Sequence, residues 1–219
     1  MYLLHYSPDS ASLAVRILLA ELGVPHRARQ IDREAGELAS PAYRRLHPLG
    51  KIPAIETPDG PMFETAAILL YLADRHGQLA PAPMSPDRAA FLKWLFFTST
   101  NIHPTLLQIF YPDRTAGAGC ADAVAAHAHA HMQTLLTALN DMVAAEAPSW
   151  LSPHQPSLMG IYVAMLLRWL GSIPAGQPGH FPAQDFPALL PILVALETRP
   201  AVQAVAADEG LGPHPFTKP

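Results

Sequence analysis

The pattern of apolar and polar positions in the first third of the chain changes period several times. Short apolar runs bounded by turn residues predict four strands, at residues 1–6, 27–31, 52–57 and around 62–63. Apolar residues at helical spacing predict helices at residues 10–22 and 65–75, which end before Gly23 and Gly77. Strand, helix, strand, hairpin and helix in this order predict a mixed α/β domain.

The strand signals stop after residue 85. Helical periodicity then predicts four helical segments, at residues 86–110, 121–147, 157–170 and 188–197. The segment 78–85 between the two patterns contains Pro81 and Pro83 and is typical of a linker. We therefore expect an α/β domain at residues 1–77 and an all-helical domain at residues 86–219.

Composition narrows the classes of function. The chain has 219 residues, of which 50% are hydrophobic and 15% charged, which is typical of a protein able to bury a large core. A formal net charge of −4 gives no electrostatic reason to expect binding to nucleic acid or to an anionic membrane. The one cysteine, Cys120, excludes an internal disulfide, and the apolar runs are interrupted too often to span a bilayer. We expect a cytoplasmic protein.

A first motif with chemical meaning is Gly50-Lys51-Ile52-Pro53-Ala54-Ile55. Proline has no backbone N–H, so Pro53 is expected at the start or the edge of a strand. An X-Pro bond adopts the cis form at a cost of only about 0.5–1 kcal/mol. A cis bond after Ile52 would leave the N–H and C=O of that residue available to an extended ligand, which would pair as an extra strand.

A second motif, Phe63-Glu64-Thr65-Ala66-Ala67-Ile68, follows within a few residues. Glu64 and Thr65 stand where the chain turns from a strand into a helix. The free N–H groups of a helix start and a threonine hydroxyl suit a carboxylate, whereas Glu64 can pair with an ammonium group. A ligand with a carboxylate, an ammonium group and an extended peptide backbone is a γ-glutamyl tripeptide.

These motifs, in this order and spacing, resemble the glutathione S-transferase superfamily. The resemblance covers nearly the whole chain, and its other parts are the opening strand at residues 2–8, the helix at 12–16 and the segment 64–69. It implies that residues 1–77 form a thioredoxin-like domain that binds glutathione as co-substrate. It also implies that residues 86–219 form a helical bundle with a pocket for a small hydrophobic electrophile, and that the protein is a homodimer.

The superfamily lowers the pKa of the glutathione thiol with a donor near the start of the first helix. A shift of about two units needs about 2.7 kcal/mol, which a hydroxyl donor and the helix terminus together can supply. We rank Ser12 first, Ser10 second and Tyr6 third among the candidate catalytic hydroxyls; the alternative is that Ser10 or Ser12 only caps the helix. The local sequence is most similar to the bacterial beta class, which has a cysteine where this chain has Ala11. A hydroxyl-dependent conjugation is therefore expected rather than mixed-disulfide chemistry.

Further contacts to glutathione are implied by the same resemblance. The beta class has a His-Lys pair at the position of His103 and Pro104, so His103 matches and Pro104 does not. Lys51 is expected to neutralise the glycine carboxylate of the ligand, beside Ile52 and Pro53. The alternatives are an ordinary interhelix histidine and a solvated lysine at a strand edge.

We expect no metal site. His127 and His131 share a helix face, but His129 does not, so a surface histidine cluster is the preferred interpretation. Cys120 has no neighbouring base in the sequence and is interpreted as non-catalytic. Three aromatic residues are interpreted as core residues first and as lining of an electrophile pocket second: Phe110, Tyr111 and Trp169.

Two functional hypotheses follow. The first is an enzyme, a glutathione S-transferase whose bound thiolate attacks an apolar electrophile; related isomerisation and peroxide reduction remain open. The second is a non-catalytic protein of the same fold that acts through protein partners. Retained Pro53, Glu64 and Thr65 favour the enzyme. The second hypothesis is favoured by Ala11, by Pro104 and by Gly160, which stands where the superfamily usually has an aspartate that completes a helix cap.

Overall fold

A computed structural model describes residues 1–219. A four-stranded sheet occupies the first part, with strands β1 (Tyr2–Tyr6), β2 (His26–Gln30), β3 (Ala54–Thr57) and β4 (Gly60–Phe63). The strand order is β2-β1-β3-β4, and β1 runs parallel to β2 but antiparallel to β3. The pairing of Thr57 with Gly60 closes the β3–β4 hairpin over a two-residue turn. The predicted mixed sheet is confirmed.

Three helices accompany the sheet: α1 (Ser12–Leu22), α2 (Pro41–Arg44) and α3 (Thr65–His76). The first and third pack against each other, and their apolar faces join the core beneath the sheet. Both end at a glycine in the left-handed region, Gly23 at φ 63° and Gly77 at φ 64°, where a side chain would be strained. The short α2 is absent from the sequence prediction because its four residues are fewer than periodicity can detect.

Helices form the rest of the chain: α4 (Arg88–Phe97), α5 (His103–Phe110), α6 (Asp113–Ala116), α7 (Ala121–Glu146), α8 (Leu158–Gly171), α9 (Leu190–Glu197) and α10 (Pro200–Glu209). The helical character predicted for this part is confirmed. The last of them was not predicted, because its alanine-rich sequence has weak amphipathic contrast. No single helix is long and apolar enough to cross a membrane, whereas the bent pair α9 and α10 reaches the required length and hydropathy together.

The segment predicted as one helix at 86–110 is interrupted by a π-helical stretch, Thr98–Ile102. There the N–H of His103 bonds to the carbonyl of Thr98, five residues earlier. Pro104 has no N–H and sits in the first turn of α5, a position where none is needed. Proline usually breaks or kinks a helix, but here a wider turn just before Pro104 accommodates it, and such turns often occur at functional sites.

Helix α8 is almost completely buried and contacts both the sheet part and the helical part of the molecule. All but two of its 14 residues are buried, and it packs against α1 and α3 as well as against α9. One cluster of 47 buried hydrophobic residues includes side chains from the sheet, from α1 and from α8. The sheet part ends at His76 and the helical part begins at Arg88, but the division into domains at 1–77 and 86–219 stays a prediction.

The start of α8 carries half of a reciprocal cap. The hydroxyl oxygen of Ser157 accepts a hydrogen bond of 3.0 Å from the N–H of Gly160. Gly160 itself has no side chain to return the bond. A Cβ there would lie 3.4 Å from Ile192 and 3.4 Å from the Ser157 oxygen, so α9 closes over the glycine. These distances are ordinary van der Waals contacts, so the packing around Gly160 does not explain the missing second half of the cap.

Candidate active site

A cleft of about 960 Å³ lies between the sheet part and the helical part. The loop before α1, the segment before β3 and the start of α3 form one wall, and α5, α6 and α8 form the other. Of the sequence-predicted site residues, seven line it: Ser10, Lys51, Ile52, Pro53, Glu64, Thr65 and His103. Ser12 and Tyr6 do not.

The first wall contains the segment Gly50–Pro53 outside any strand ladder. The Ile52–Pro53 peptide bond is cis, and β3 begins only at Ala54. The hydroxyl of Tyr43 donates to the carbonyl of Lys51 at 2.8 Å. Burial raises the pKa of Tyr43 to about 12, so this hydroxyl keeps its proton and the hydrogen bond throughout the physiological range. The segment is therefore held from behind while its other side faces the cleft.

Glu64 precedes α3 in an unusual backbone conformation, with φ 70° and ψ 115°. Non-glycine residues rarely adopt a positive φ, and such strain is concentrated at functional sites. The Glu64 side chain is exposed and makes no capping hydrogen bond, so its carboxylate is available to a ligand. Thr65 beside it is 6% exposed and lines the cleft at the first turn of α3. A carboxylate and a helix start are thus presented side by side.

The serines before α1 form a closed group of hydrogen bonds. The hydroxyl oxygens of Ser10 and Ser12 are 2.7 Å apart, and each lies near the carbonyl oxygen of Ser7, at 2.7 Å for Ser10 and 3.0 Å for Ser12. Ser12 also accepts from the Ser7 N–H at 3.3 Å and is fully buried. The first-ranked candidate therefore lies behind the cleft surface, and Ser10 is the hydroxyl at that surface. The residue at the cap position, Ala11, makes no side-chain cap, but the Ser10 hydroxyl oxygen accepts a hydrogen bond from the Ser12 N–H at the start of α1, at 3.3 Å.

Tyr6 is engaged elsewhere. The guanidinium of Arg16 lies 4.5 Å from the centre of its ring, and Arg16 in turn bonds to Asp208 and Glu209 of α10, both at 2.9 Å. Tyr6 is thus part of the contact between α1 and α10 rather than of the cleft.

His103 is both an interhelix residue and a residue of the cleft, while its contact with glutathione stays a prediction. Its Nδ1 is 2.8 Å from the hydroxyl of Tyr162 on α8, so it does link two helices, and it also lines the cleft. Burial, helped by the positive charge of Lys51, lowers the pKa of His103 to about 4. Burial raises the pKa of Tyr162, and the charge of Glu64 acts in the same direction. His103 is therefore neutral at neutral pH, and the charges of Lys51 and Glu64 are felt across the cleft.

His47 is a residue of the cleft that sequence reasoning missed. It is 3% exposed, and its ring packs against Phe63 with 4.7 Å between ring centres and 37° between the ring planes. Burial lowers its pKa, Glu64 opposes that shift and Lys51 assists it. Nothing in the sequence around His47 signals this role, because its neighbours in the cleft come from other elements. The sequence shows only that His47 stands three residues before Gly50, the first residue of the Gly50–Pro53 segment.

The second wall is aromatic and partly solvated. Phe110 and Tyr111 are 39% and 38% exposed, and Trp169 on α8 lies beside His103, with 5.9 Å between the centres of their rings. Arg114 stacks on the Tyr111 ring at 3.8 Å from its centre. These aromatic residues line the cleft, and Trp169 also packs against the core; their contact with an electrophile stays a prediction.

The histidines of α7 point in different directions. His127 and His131 stack on one face, with 6.1 Å between ring centres, whereas Nδ1 of His129 accepts a bond from the N–H of Gly179 at 2.8 Å. No group of three histidine, cysteine or carboxylate side chains is placed to hold a metal ion.

Comparison with known proteins agrees with this geometry. A sequence-family model described as the glutathione S-transferase N-terminal domain matches residues 10–75. Glutathione S-transferase GST-4.5 of Xanthomonas campestris pv. campestris is 29% identical over 170 residues, which cover 76% of this chain and 81% of that protein.

Two solved structures extend the likeness to the whole chain. A sphingomonad glutathione S-transferase complexed with glutathione is 30% identical, with a TM-score of 0.77 over 96% of this chain and 100% of its own. A bacterial beta class glutathione S-transferase of Sphingomonas chungbukensis is 26% identical, with a TM-score of 0.75 over 96% of this chain and all of its own. The fold is thus a thioredoxin-like domain followed by a helical domain, as the sequence predicted. The chain belongs to the glutathione S-transferase superfamily.

Proposed function

We propose that the protein is a glutathione S-transferase that binds glutathione on the sheet side of the cleft and transfers it to a small apolar electrophile bound on the helical side. The observation that carries this proposal is the convergence on one cleft of the Glu64 carboxylate, the Ile52–Pro53 edge and the Ser10 hydroxyl. These groups are separate in sequence, and each matches a different part of one γ-glutamyl tripeptide.

Glutathione would lie along this wall in an extended conformation. Its ammonium group pairs with Glu64, and its γ-glutamyl carboxylate binds at Thr65 and the start of α3. Its cysteinyl backbone pairs with the free peptide groups of Ile52, and Lys51 neutralises the glycine carboxylate. This placement directs the thiol towards the loop before α1. His103 lies on the facing wall, where a neutral imidazole can contact the tripeptide through a hydrogen bond.

Ser10 is the preferred group for activating the thiol. The hydroxyls of Ser10 and Ser12 carry two protons for three short contacts, so at most two of these contacts are hydrogen bonds at any time. When Ser12 donates to the Ser7 carbonyl, Ser10 can turn its proton away from that carbonyl and into the cleft, and its 2.7 Å contacts with Ser7 and Ser12 then lengthen. A hydrogen bond from Ser10 to the sulfur stabilises the thiolate and lowers the thiol pKa. Ser12 then acts behind Ser10, and Tyr6 is the least suited of the three candidates.

The chemical step is a nucleophilic attack. The thiol proton passes to solvent, the thiolate forms a carbon–sulfur bond with the electrophile, and the leaving group departs with its bonding electron pair. Because both reactants occupy one cleft, the reaction is effectively intramolecular. The aromatic wall of Phe110, Tyr111 and Trp169 would bind the electrophile through apolar contact.

The test is a calorimetric titration of glutathione into the purified, reduced protein and into Glu64→Gln, which removes the charge but keeps the shape. We expect saturable one-to-one binding that weakens at least about tenfold in the variant, because a charge-assisted contact is lost. Glu146→Gln, at an exposed acid on α7, is the matched control and should bind as the wild type does. Absence of binding to the wild type at millimolar glutathione would reject the proposal and favour a non-catalytic protein that acts through partners.

Assembly and location are part of the same proposal. We expect a two-fold homodimer, because large apolar side chains such as Leu49, Met84 and Phe96 are 64%, 94% and 54% exposed on the single chain. Light scattering at micromolar concentration tests this, and a monomer would contradict it. Cytoplasmic action is consistent with the free, exposed Cys120.

A further inference from the structure

The loop that carries Ser10 is held by the helical part of the molecule. Asp9, the residue before Ser10, has a φ of 46°, which non-glycine residues rarely adopt. Its carboxylate accepts two hydrogen bonds from Arg168 on α8, at 2.9 Å from Nε and 2.8 Å from Nη2. The indole of Trp169 adds a third at 2.9 Å, and the Asp9 N–H donates to Glu209 on α10 at 2.8 Å. The backbone and the side chain of Asp9 are therefore both fixed from outside the loop.

Arg168 is itself held in place. Its side chain is 8% exposed, and its Nη1 donates to the carbonyl of Pro215 at 2.9 Å. The segment around Pro215 is fastened by Glu197, whose carboxylate accepts from the N–H groups of Phe216 and Thr217, both at 2.6 Å. Phe216 is 1% exposed. All three guanidinium nitrogens of Arg168 therefore donate hydrogen bonds, two to Asp9 and one to Pro215, and together these bonds hold the side chain against Asp9.

The pairing of Asp9 with Arg168 would affect the thiol of bound glutathione in two ways. The orientation of Asp9 sets the direction of the chain into Ser10, whose hydroxyl lies at the cleft surface. The Asp9 carboxylate also lines the cleft, and its side chain is 41% exposed. A negative charge beside a forming thiolate would oppose it, and Arg168 compensates that charge. The other charged groups near this loop, Glu209, Asp208 and Arg16, pair with one another.

We propose that Arg168 is a positioning residue for thiol activation: through Asp9 it fixes the loop that presents the Ser10 hydroxyl and cancels the negative charge next to the bound thiol. This inference rests on the proposed glutathione-dependent function. It assigns a role in the chemistry to a residue that belongs to the helical part and does not line the cleft.

The chain contains a matched ion pair that lacks this connection. Arg88 on α4 binds Asp74 on α3 through two hydrogen bonds of 2.7 and 2.6 Å, and it also donates to the carbonyl of Pro81 at 2.8 Å. Its side chain is 12% exposed, close to the value for Arg168. Neither Arg88 nor Asp74 lines the cleft. Arg88 thus has the same kind of paired contact as Arg168, but its partner Asp74 does not line the cleft as Asp9 does.

The experiment compares Arg168→Met with Arg88→Met in the complex with glutathione. The pKa of the bound thiol is read from the ultraviolet absorbance of the thiolate against pH, and thermal unfolding and glutathione affinity are measured on the same samples. We expect Arg168→Met to raise the bound thiol pKa by about one unit and to lower turnover at neutral pH about tenfold. Arg88→Met should lower the unfolding temperature by a similar amount but leave the thiol pKa at the wild-type value.

Arg168→Lys is the second variant. It keeps the positive charge but not the paired contacts to both carboxylate oxygens, so the thiol pKa should lie between those of the wild type and Arg168→Met. If Arg168→Met does not fold, this variant decides alone. A wild-type thiol pKa in an Arg168 variant that still binds glutathione overturns the inference and leaves the proposed function intact. A thiol pKa in the wild-type complex no lower than that of free glutathione would instead reject both.

Discussion

The two walls of the cleft are built on different principles. The sheet wall presents backbone groups and a few polar side chains held by buried partners, such as the Lys51 carbonyl on the Tyr43 hydroxyl at 2.8 Å. The helical wall presents large side chains with about two fifths of their surface in solvent, Phe110 and Tyr111 at 39% and 38%. The first wall suits one ligand of fixed shape, and the second suits a range of apolar ones.

Under the proposed function, this difference separates recognition of glutathione from recognition of the second substrate. Positions on the sheet wall are fixed by backbone conformation, as at Glu64 with its φ of 70°, so small changes there should have large effects. Positions on the helical wall make apolar contacts that neighbouring side chains can partly replace. Substitutions on the two walls should therefore differ in the size of their effect and in what they affect, either the binding and activation of glutathione or the binding of the electrophile.

The largest effect is expected from Ser10→Ala on the sheet wall. Loss of a hydrogen bond donated to a thiolate should lower kcat/KM about a hundredfold at neutral pH, because bonds to charged groups contribute about 1.5–3 kcal/mol. Steady-state conjugation of an activated aryl halide is the measurement. Ser152→Ala, in the loop before α8 and away from the cleft, is the control. A higher loss in Ser12→Ala than in Ser10→Ala would restore the order that the sequence predicted.

His103 on the helical wall gives a pH prediction. Its pKa in the folded protein is about 4, below the ordinary value of about 6.5, so below that ordinary value the unfolded chain binds the extra proton. The stability due to neutral His103 is present in full above about pH 6.5 and is lost as the pH falls towards 4. We expect roughly 2 kcal/mol less free energy of unfolding at about pH 5 than at about pH 7 from this residue.

Denaturant unfolding at the two pH values measures this loss, and His103→Gln should remove most of it. A variant with the same pH dependence as the wild type would show that other groups cause the acid sensitivity.

A smaller effect is expected from Thr65→Val, which removes one hydroxyl from the sheet wall at nearly constant volume. Glutathione affinity should fall about tenfold, since a buried hydrogen bond to a ligand carboxylate is lost. Calorimetry gives the affinity directly. The comparison of the walls would fail if this change altered the KM for the electrophile and not the affinity for glutathione.

The smallest effect is expected from Tyr111→Ala on the helical wall. A side chain already 38% exposed loses limited apolar contact, so the KM for an aromatic electrophile should rise only about threefold. Glutathione affinity should not change. A tenfold or larger loss for every electrophile tested would mean that this wall is as specific as the other.

Local signals predicted much of this molecule. Pro53 and Glu64 were identified because a proline before an apolar strand and an acidic residue before an apolar helix are visible within six residues. The sheet and most helices followed from periodicity, and the comparisons confirm the fold and the superfamily.

The features that could not be predicted from the sequence depend on contacts between residues that are distant in the chain. Ser10 and Ser12 are two residues apart, and their difference, cleft surface against buried interior, appears only when α1 is packed. Asp9 and Arg168 form an ion pair although they are 159 residues apart in the sequence, and no local pattern near either residue predicts this contact. His47 enters the cleft for the same reason, and the individual contacts of Glu64 or Lys51 with glutathione stay predictions.

The order of the strands has a consequence for solubility. The sheet has two open edges, β2 and β4, and open edges are where chains associate into aggregates. The outer strand β2 is exposed and carries Arg27 and Arg29, whereas β4 contains Pro61, which has no N–H to offer a further strand. Charged side chains disfavour association at the β2 edge, where Arg29 also pairs with Glu37, and the missing N–H of Pro61 disfavours it at the β4 edge. Under the proposed function, the protein can therefore expose one short backbone segment, at Ile52, for a peptide ligand without offering the sheet as a template to its own copies.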